Sequence, residues 1–161
     1  EYLRSYHNIL LDHNYGIAYA FKTAVNQLKG YDLILKLDND VVCVTPHIIL
    51  KMVSFFENNG RQYVCSPVDL NLDPDYAPEV FSEAVKNGYV VRFTTHTGGA
   101  FQMMPYSIAE RLCTEFKHLK HGDFMIGKYL LRHAYRPCYL LDLQMRHIGL
   151  EQSTPANEYV L

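Results

Sequence analysis

The stretch Leu33-Ile34-Leu35-Lys36-Leu37-Asp38-Asn39-Asp40-Val41 decides the fold of this chain, because an apolar run of strand length ends on two carboxylates one residue apart. A short apolar run bounded by a turn signal reads as a buried strand, and ligands of open α/β sheets gather outside the carboxyl ends of the strands. Asp38 and Asp40 therefore lie where a divalent cation and a phosphorylated ligand are expected. Hard cations such as Mg²⁺ or Mn²⁺ take oxygen ligands and share them between one or two carboxylates and substrate phosphates. Asp and Asn are also ordinary turn residues, so the motif taken alone reads equally well as a solvated strand-to-loop turn.

Upstream, Asn14 and Gly16 precede Ile17 to Leu28, where Ala20, Ala24, Val25 and Leu28 mark one apolar face at helical spacing and Gly30 ends the run. Downstream, Pro46 fits the first turn of a helix in which Ile49, Met52, Val53 and Phe56 follow the helical rule, with Asn58-Asn59-Gly60 closing it. Tyr63 to Val68 reads as a second strand. Helix, strand, helix, strand in this order predicts an α/β sheet with parallel neighbours.

From Asp69 to Thr97, Pro74, Pro78 and several polar residues predict a loop excursion over one face, with at most a short helix near Val80 to Lys86. Gly99 to Met104 reads as a strand, and Pro105 starts a helix marked by Ile108, Leu112 and Phe116. A further helix runs from about Gly122 to His133. Arg136 to Leu141 and Leu143 to His147 are two short strands, and no period continues after Gly149.

A length of 161 residues with 48% hydrophobic content suits one domain over 1–161 and is too short for two of ordinary size. A formal charge of -2 and no basic run exclude nucleic acid as the expected partner. No apolar run approaches the roughly 20 residues that span a bilayer, and no signal segment opens the chain, so membrane association would need segments absent here. Cys43, Cys65, Cys113 and Cys138 form no CxxC pair, which argues against a zinc ribbon or a dithiol redox centre. They read as reduced, mostly buried thiols of a cytoplasmic protein, one free to lie at the inner face of a membrane. His118 and His121 read as surface residues. Glu1 opens the chain in mid-pattern, as in a fragment.

Three more features bear on chemistry. Thr97-Gly98-Gly99-Ala100 places two glycines where a backbone turns sharply or approaches a ligand, and equally describes a plain tight turn. His121-Gly122-Asp123 opens a helix, where an aspartate is either a cap or a general base. Arg146-His147-Ile148-Gly149 ends a strand on an imidazole, which is either a core or surface residue or the last member of a metal shell.

In this order the motifs resemble those of GT-A fold glycosyltransferases, most closely the family-2 group of inverting, metal-dependent enzymes. The matching positions are Asn14 and Gly16, Gly30 with Leu33 to Leu37, Asp38 and Asp40, Gly98 and Gly99, Asp123, and His147. The resemblance covers nearly the whole chain and implies a mixed central sheet of GT-A type. It implies a divalent metal, Mn²⁺ or Mg²⁺, held by Asp40 and His147. Asp38, Asn39, Gly98 and Gly99 would contact the nucleotide-sugar donor, expected to be UDP-linked. Asp123 would be the base that activates the hydroxyl of a carbohydrate or lipid-linked acceptor, giving inversion in cell-surface polysaccharide or glycan synthesis.

Two features depart from the family pattern. The strands that usually hold the nucleotide base have no counterpart upstream of Glu1, and Gly122 stands where a glutamate is usual beside the aspartate. Two other readings stay open. Asp38-Asn39-Asp40-Val41 also fits haloacid-dehalogenase-like phosphatases, with Asp38 as nucleophile and Asp40 as acid, but no later Asp-Asp pair with a preceding lysine completes that site. The chain also reads as a non-catalytic nucleotide-sugar binding module.

Overall fold

The computed structural model describes residues 17–72, 77–115 and 122–148, which form an α/β arrangement around one mixed seven-stranded sheet. In chain order the elements are α1 (Ile17–Gln27), β1 (Leu33–Leu37), β2 (Val41–Cys43), α2 (Ile48–Asn59), β3 (Tyr63–Asp69), β4 (Val80–Lys86), β5 (Tyr89–Thr94), β6 (Phe101–Pro105), α3 (Tyr106–Glu115), α4 (Gly122–Arg132) and β7 (Arg136–His147). The expected β1, α2 and β3 appear where the hydrophobic period places them. Pro46 is not in the first turn of α2: the helix starts two residues later, after His47 in a left-handed conformation, and Gly60 terminates it by donating its N–H to the Phe56 carbonyl.

The strand order is β1-β6-β3-β7-β5-β4, with β2 added along β7. The expected parallel neighbours are confined to β3 and β7; every other pairing is antiparallel. β1 and β3 do run in the same direction, but β6 lies between them and opposes both.

Side chains alternate between faces along each strand and so feed two cores. On one face Leu33 and Leu35 of β1, Tyr63 and Cys65 of β3, and Phe101 and Met103 of β6 meet Met52, Phe55 and Phe56 of α2. On the other, Ile34, Val64 and Met104 meet Val25 of α1, Ile108 and Leu112 of α3, and Leu130 of α4. The central strands are thus covered on both sides. That is why they read as continuous apolar runs rather than alternating ones.

The largest correction falls between Asp69 and Thr97. Val80 to Lys86 is strand β4, neither helix nor loop, and it pairs antiparallel with β5 through a tight turn at Asn87-Gly88. Both turn residues have positive φ, 45° and 86°, the conformation a two-residue hairpin demands and one that Asn and Gly adopt cheaply. The two strands expected in 136–147 are halves of one, β7. Its pairing with β3 jumps from Pro67↔Leu140 to Val68↔Gln144, so residues 141–143 bulge out, Leu143 fills the core, and the Asp142 carboxylate accepts the Val90 N–H at 2.8 Å. All four cysteines are free thiols; Cys43 is exposed and the other three are buried. Among the described residues no helix is long and apolar enough to cross a membrane.

Candidate metal centre

β1 delivers Asp38 to its carboxyl end, where the Asp38 N–H bonds the Ala100 carbonyl at 2.8 Å and so joins the motif to the start of β6. The chain turns through Asn39, which is exposed, and Asp40, then re-enters the sheet as β2. This three-residue strand, too short to show a period, sets the site. Val41 pairs with His147 and Val42 with Arg146, and the Ile148 N–H bonds the Asp40 carbonyl at 2.9 Å. A residue more than a hundred positions away is thereby laid directly against Asp40.

Ligand-capable atoms of Asp38, Asp40 and His147 all lie within 4.8 Å of one another. His147 Nε2 is 3.1 Å from Asp40 Oδ1, inside ion-pair range, yet the two atoms are not aligned as a hydrogen bond. Asp40 Oδ1 is itself buried and has no hydrogen-bond partner, although the side chain as a whole is 36% exposed. Buried carboxylate oxygens are normally satisfied, because an unmet acceptor costs about 1–3 kcal/mol. With Asp38 beside them, the Asp40 oxygen and the His147 imidazole nitrogen are chemically able to share a cation.

A set of groups not anticipated from the sequence holds this geometry. Asp69, the last residue of β3, accepts the His147 N–H at 3.1 Å and the Asn71 N–H at 3.0 Å through the same carboxylate oxygen. The Asn71 side-chain amide donates to the His147 carbonyl at 3.2 Å, so the peptide groups of His147 are gripped from both sides. The chain separation, 78 and 76 residues, kept these partners out of any local motif.

The Thr97–Ala100 turn is held as firmly. Gly98 donates its N–H to the Tyr139 hydroxyl at 2.7 Å, and the buried Ser66 hydroxyl donates to the Gly98 and Phe101 carbonyls. The buried Gln102 amide donates to Thr97 Oγ1 at 2.9 Å and to the Thr97 carbonyl at 3.2 Å. A Cβ on Gly98 would meet only the Tyr139 hydroxyl, at an ordinary 3.5 Å. Neither packing nor a left-handed backbone demands glycine there. Lys36 ties this turn to the acidic motif: its ammonium lies 2.6 Å from Asp38 Oδ1 and also donates to the Gly99 carbonyl.

Asp123 occupies the first turn of α4, as expected; its carboxylate, like His121, Asn14 and Gly16, lies outside the described residues. The helix itself is closely seated. A Cβ on Gly127, one turn after Asp123, would come within 2.9 Å of His96 Cα and nearer still to His96 Cβ and the Thr95 carbonyl. Only a glycine lets α4 press its backbone onto the segment that leads into the Gly98 turn. The structure thus brings Asp38, Asp40 and His147 together, sets Gly98 and Gly99 beside them through Lys36 and Ala100, and leaves Asn39 at the exposed tip. Compared with protein-family models, with characterised proteins and with solved structures, the chain matches none.

Proposed function

We propose that this domain is an inverting glycosyltransferase of GT-A type, moving a sugar from a nucleoside diphosphate carrier, UDP in the first instance, to the hydroxyl of a carbohydrate or lipid-linked acceptor. The observation that carries the reading is the buried Asp40 Oδ1, which accepts no hydrogen bond and lies 3.1 Å from His147 Nε2, with Asp38 completing the cluster. Two carboxylates suit Mg²⁺ or Mn²⁺, and the added imidazole favours the transition ion. When bound there, the cation supplies a Lewis acid that neutralises charge on the departing diphosphate.

The remaining work falls to the chain. Asp40 and His147 hold the ion, and Asp38 orients the ribose or a water. The bare face of Gly98 admits the donor sugar, on a turn already fixed by Tyr139, Ser66 and Gln102, so little ordering entropy is lost when the donor settles. Asp123 takes the proton of the acceptor hydroxyl as it attacks from the side opposite the leaving group, which inverts the anomeric centre.

Transfer kinetics on the full-length protein, with UDP-sugars and Mn²⁺, test this reading. Asp123→Asn preserves shape but removes proton acceptance, so turnover falls by about 10²–10⁴-fold with donor binding nearly intact. Near-normal turnover in that variant removes the base from Asp123. Hydrolysis of a generic phosphoester would favour the phosphatase reading, and metal-dependent nucleotide binding without turnover would favour a binding module.

A further inference from the structure

Among the described residues, Lys36 is the side-chain cation bonded to this cluster, and it is turned inward. Its side chain is 18% exposed although it belongs to a strand at the edge of the sheet, and its ammonium is shared between Asp38 Oδ1 and the Gly99 carbonyl. Lysines usually extend the charged end into water. A positive charge held 2.6 Å from one member of a cation-binding cluster opposes a second cation at the same place. Lys36 offsets one of the two carboxylate charges that Asp38 and Asp40 bring to the cluster.

We propose that Lys36 makes cation binding at Asp38, Asp40 and His147 conditional on a diphosphate anion. Resting on the metal-centre reading above, this assigns Lys36 as a positioning residue with two opposed electrostatic effects. It weakens the hold on a bare divalent ion, and it strengthens the hold on the ion once a diphosphate accompanies it, because the ammonium then adds to the attraction for the anion. The same ammonium, bonded to Gly99, fixes the glycine turn against the acidic motif as the donor enters. The ion and the diphosphate are therefore taken up together, and an empty donor site does not fill with metal alone.

The test compares wild-type protein with Lys36→Gln, which keeps a donor for the Gly99 carbonyl but loses the charge, and Lys36→Arg, which keeps the charge. Bare Mn²⁺ is titrated by loss of its free-ion paramagnetic resonance signal, and preformed Mn²⁺–pyrophosphate by calorimetry. Lys36→Gln should bind bare Mn²⁺ about tenfold more tightly and Mn²⁺–pyrophosphate about tenfold more weakly, while Lys36→Arg follows the wild type in both. If Lys36→Gln melts early, Lys36→Met, which keeps the apolar stem, carries the same comparison. Unchanged bare-ion affinity, or both affinities falling together as loss of a mere tether would cause, overturns the role of Lys36 and leaves the metal centre standing. Failure of the wild type to bind Mn²⁺ in either form overturns the metal centre, and this proposal with it.

Discussion

Replacing Gly127 by alanine tests whether the helix that carries Asp123 is positioned by direct contact of its backbone with Thr95 and His96. Two effects oppose each other. Alanine is intrinsically better than glycine inside a helix by about 1 kcal/mol, which alone would raise stability. The added Cβ, however, would lie 2.9 Å from His96 Cα and closer to the Thr95 carbonyl and His96 Cβ, so α4 and this segment must part by about 1 Å to restore ordinary contact. Overpacking costs about 1–3 kcal/mol, and the upper half of that range applies because most of what the Cβ meets is main chain, which cannot swing aside. The net loss is then about 1–2 kcal/mol. In a domain of this size that lowers the melting temperature by roughly 2–8 °C. If Asp123 is the base proposed above, a shift of about 1 Å in α4 should also reduce turnover by about 100-fold. Scanning fluorimetry reads the first effect and transfer kinetics well below the transition read the second. A melting temperature equal to or above that of wild type would show that helix propensity prevails and that the contact does not seat α4.

Asp69→Ala removes the acceptor of the His147 and Asn71 N–H groups and should weaken Mn²⁺ binding by about 10–100-fold in calorimetry, whereas Asp69→Asn, which keeps an oxygen acceptor, should restore most of it. Gly88→Val puts a β-branched residue at a φ of 86°, so the hairpin should lose about 1–2 kcal/mol in denaturant unfolding with Mn²⁺ affinity unchanged. Brief treatment with iodoacetamide near pH 8 should label Cys43 first, as peptide mass mapping would show: Cys65, Cys113 and Cys138 are buried, and burial pushes the Cys65 and Cys113 thiols up, away from the reactive thiolate.

Elements with a strong hydrophobic period were legible in the sequence. Tyr63 to Val68 reads as a strand because Tyr63 to Pro67 are buried on both faces, Leu33 to Leu37 because Leu33 and Leu35 pack on one face and Ile34 on the other, and α2 announced itself through Met52, Val53 and Phe56 with Gly60 behind them. The β4–β5 hairpin was missed because Pro74 and Pro78 suggested a loop and β4 is mostly exposed, so no apolar stripe marked it; Asn87-Gly88 was the signal that carried the answer. β7 was divided in two because its bulge at 141–143 breaks the alternation. For the site, Asp38, Asp40 and His147 were legible only as an ordered set, since β2, which joins them, spans three residues. Asp69, Asn71 and Lys36 were not legible: the first two act on a peptide group far along the chain, and Lys36 lies inside the apolar run with a main-chain partner 63 residues away.

The central claim is that Asp40 and His147 are ligands of one cation that holds a nucleoside diphosphate. Calorimetric titration of UDP in the presence of Mn²⁺ addresses it most directly, on the full-length wild type, Asp40→Ala and Asn39→Ala. Asp40→Ala should abolish the metal-dependent binding, and Asn39→Ala, altering an exposed residue between the two aspartates, should bind much as the wild type does. Equal metal-dependent binding by wild type and Asp40→Ala would contradict the account.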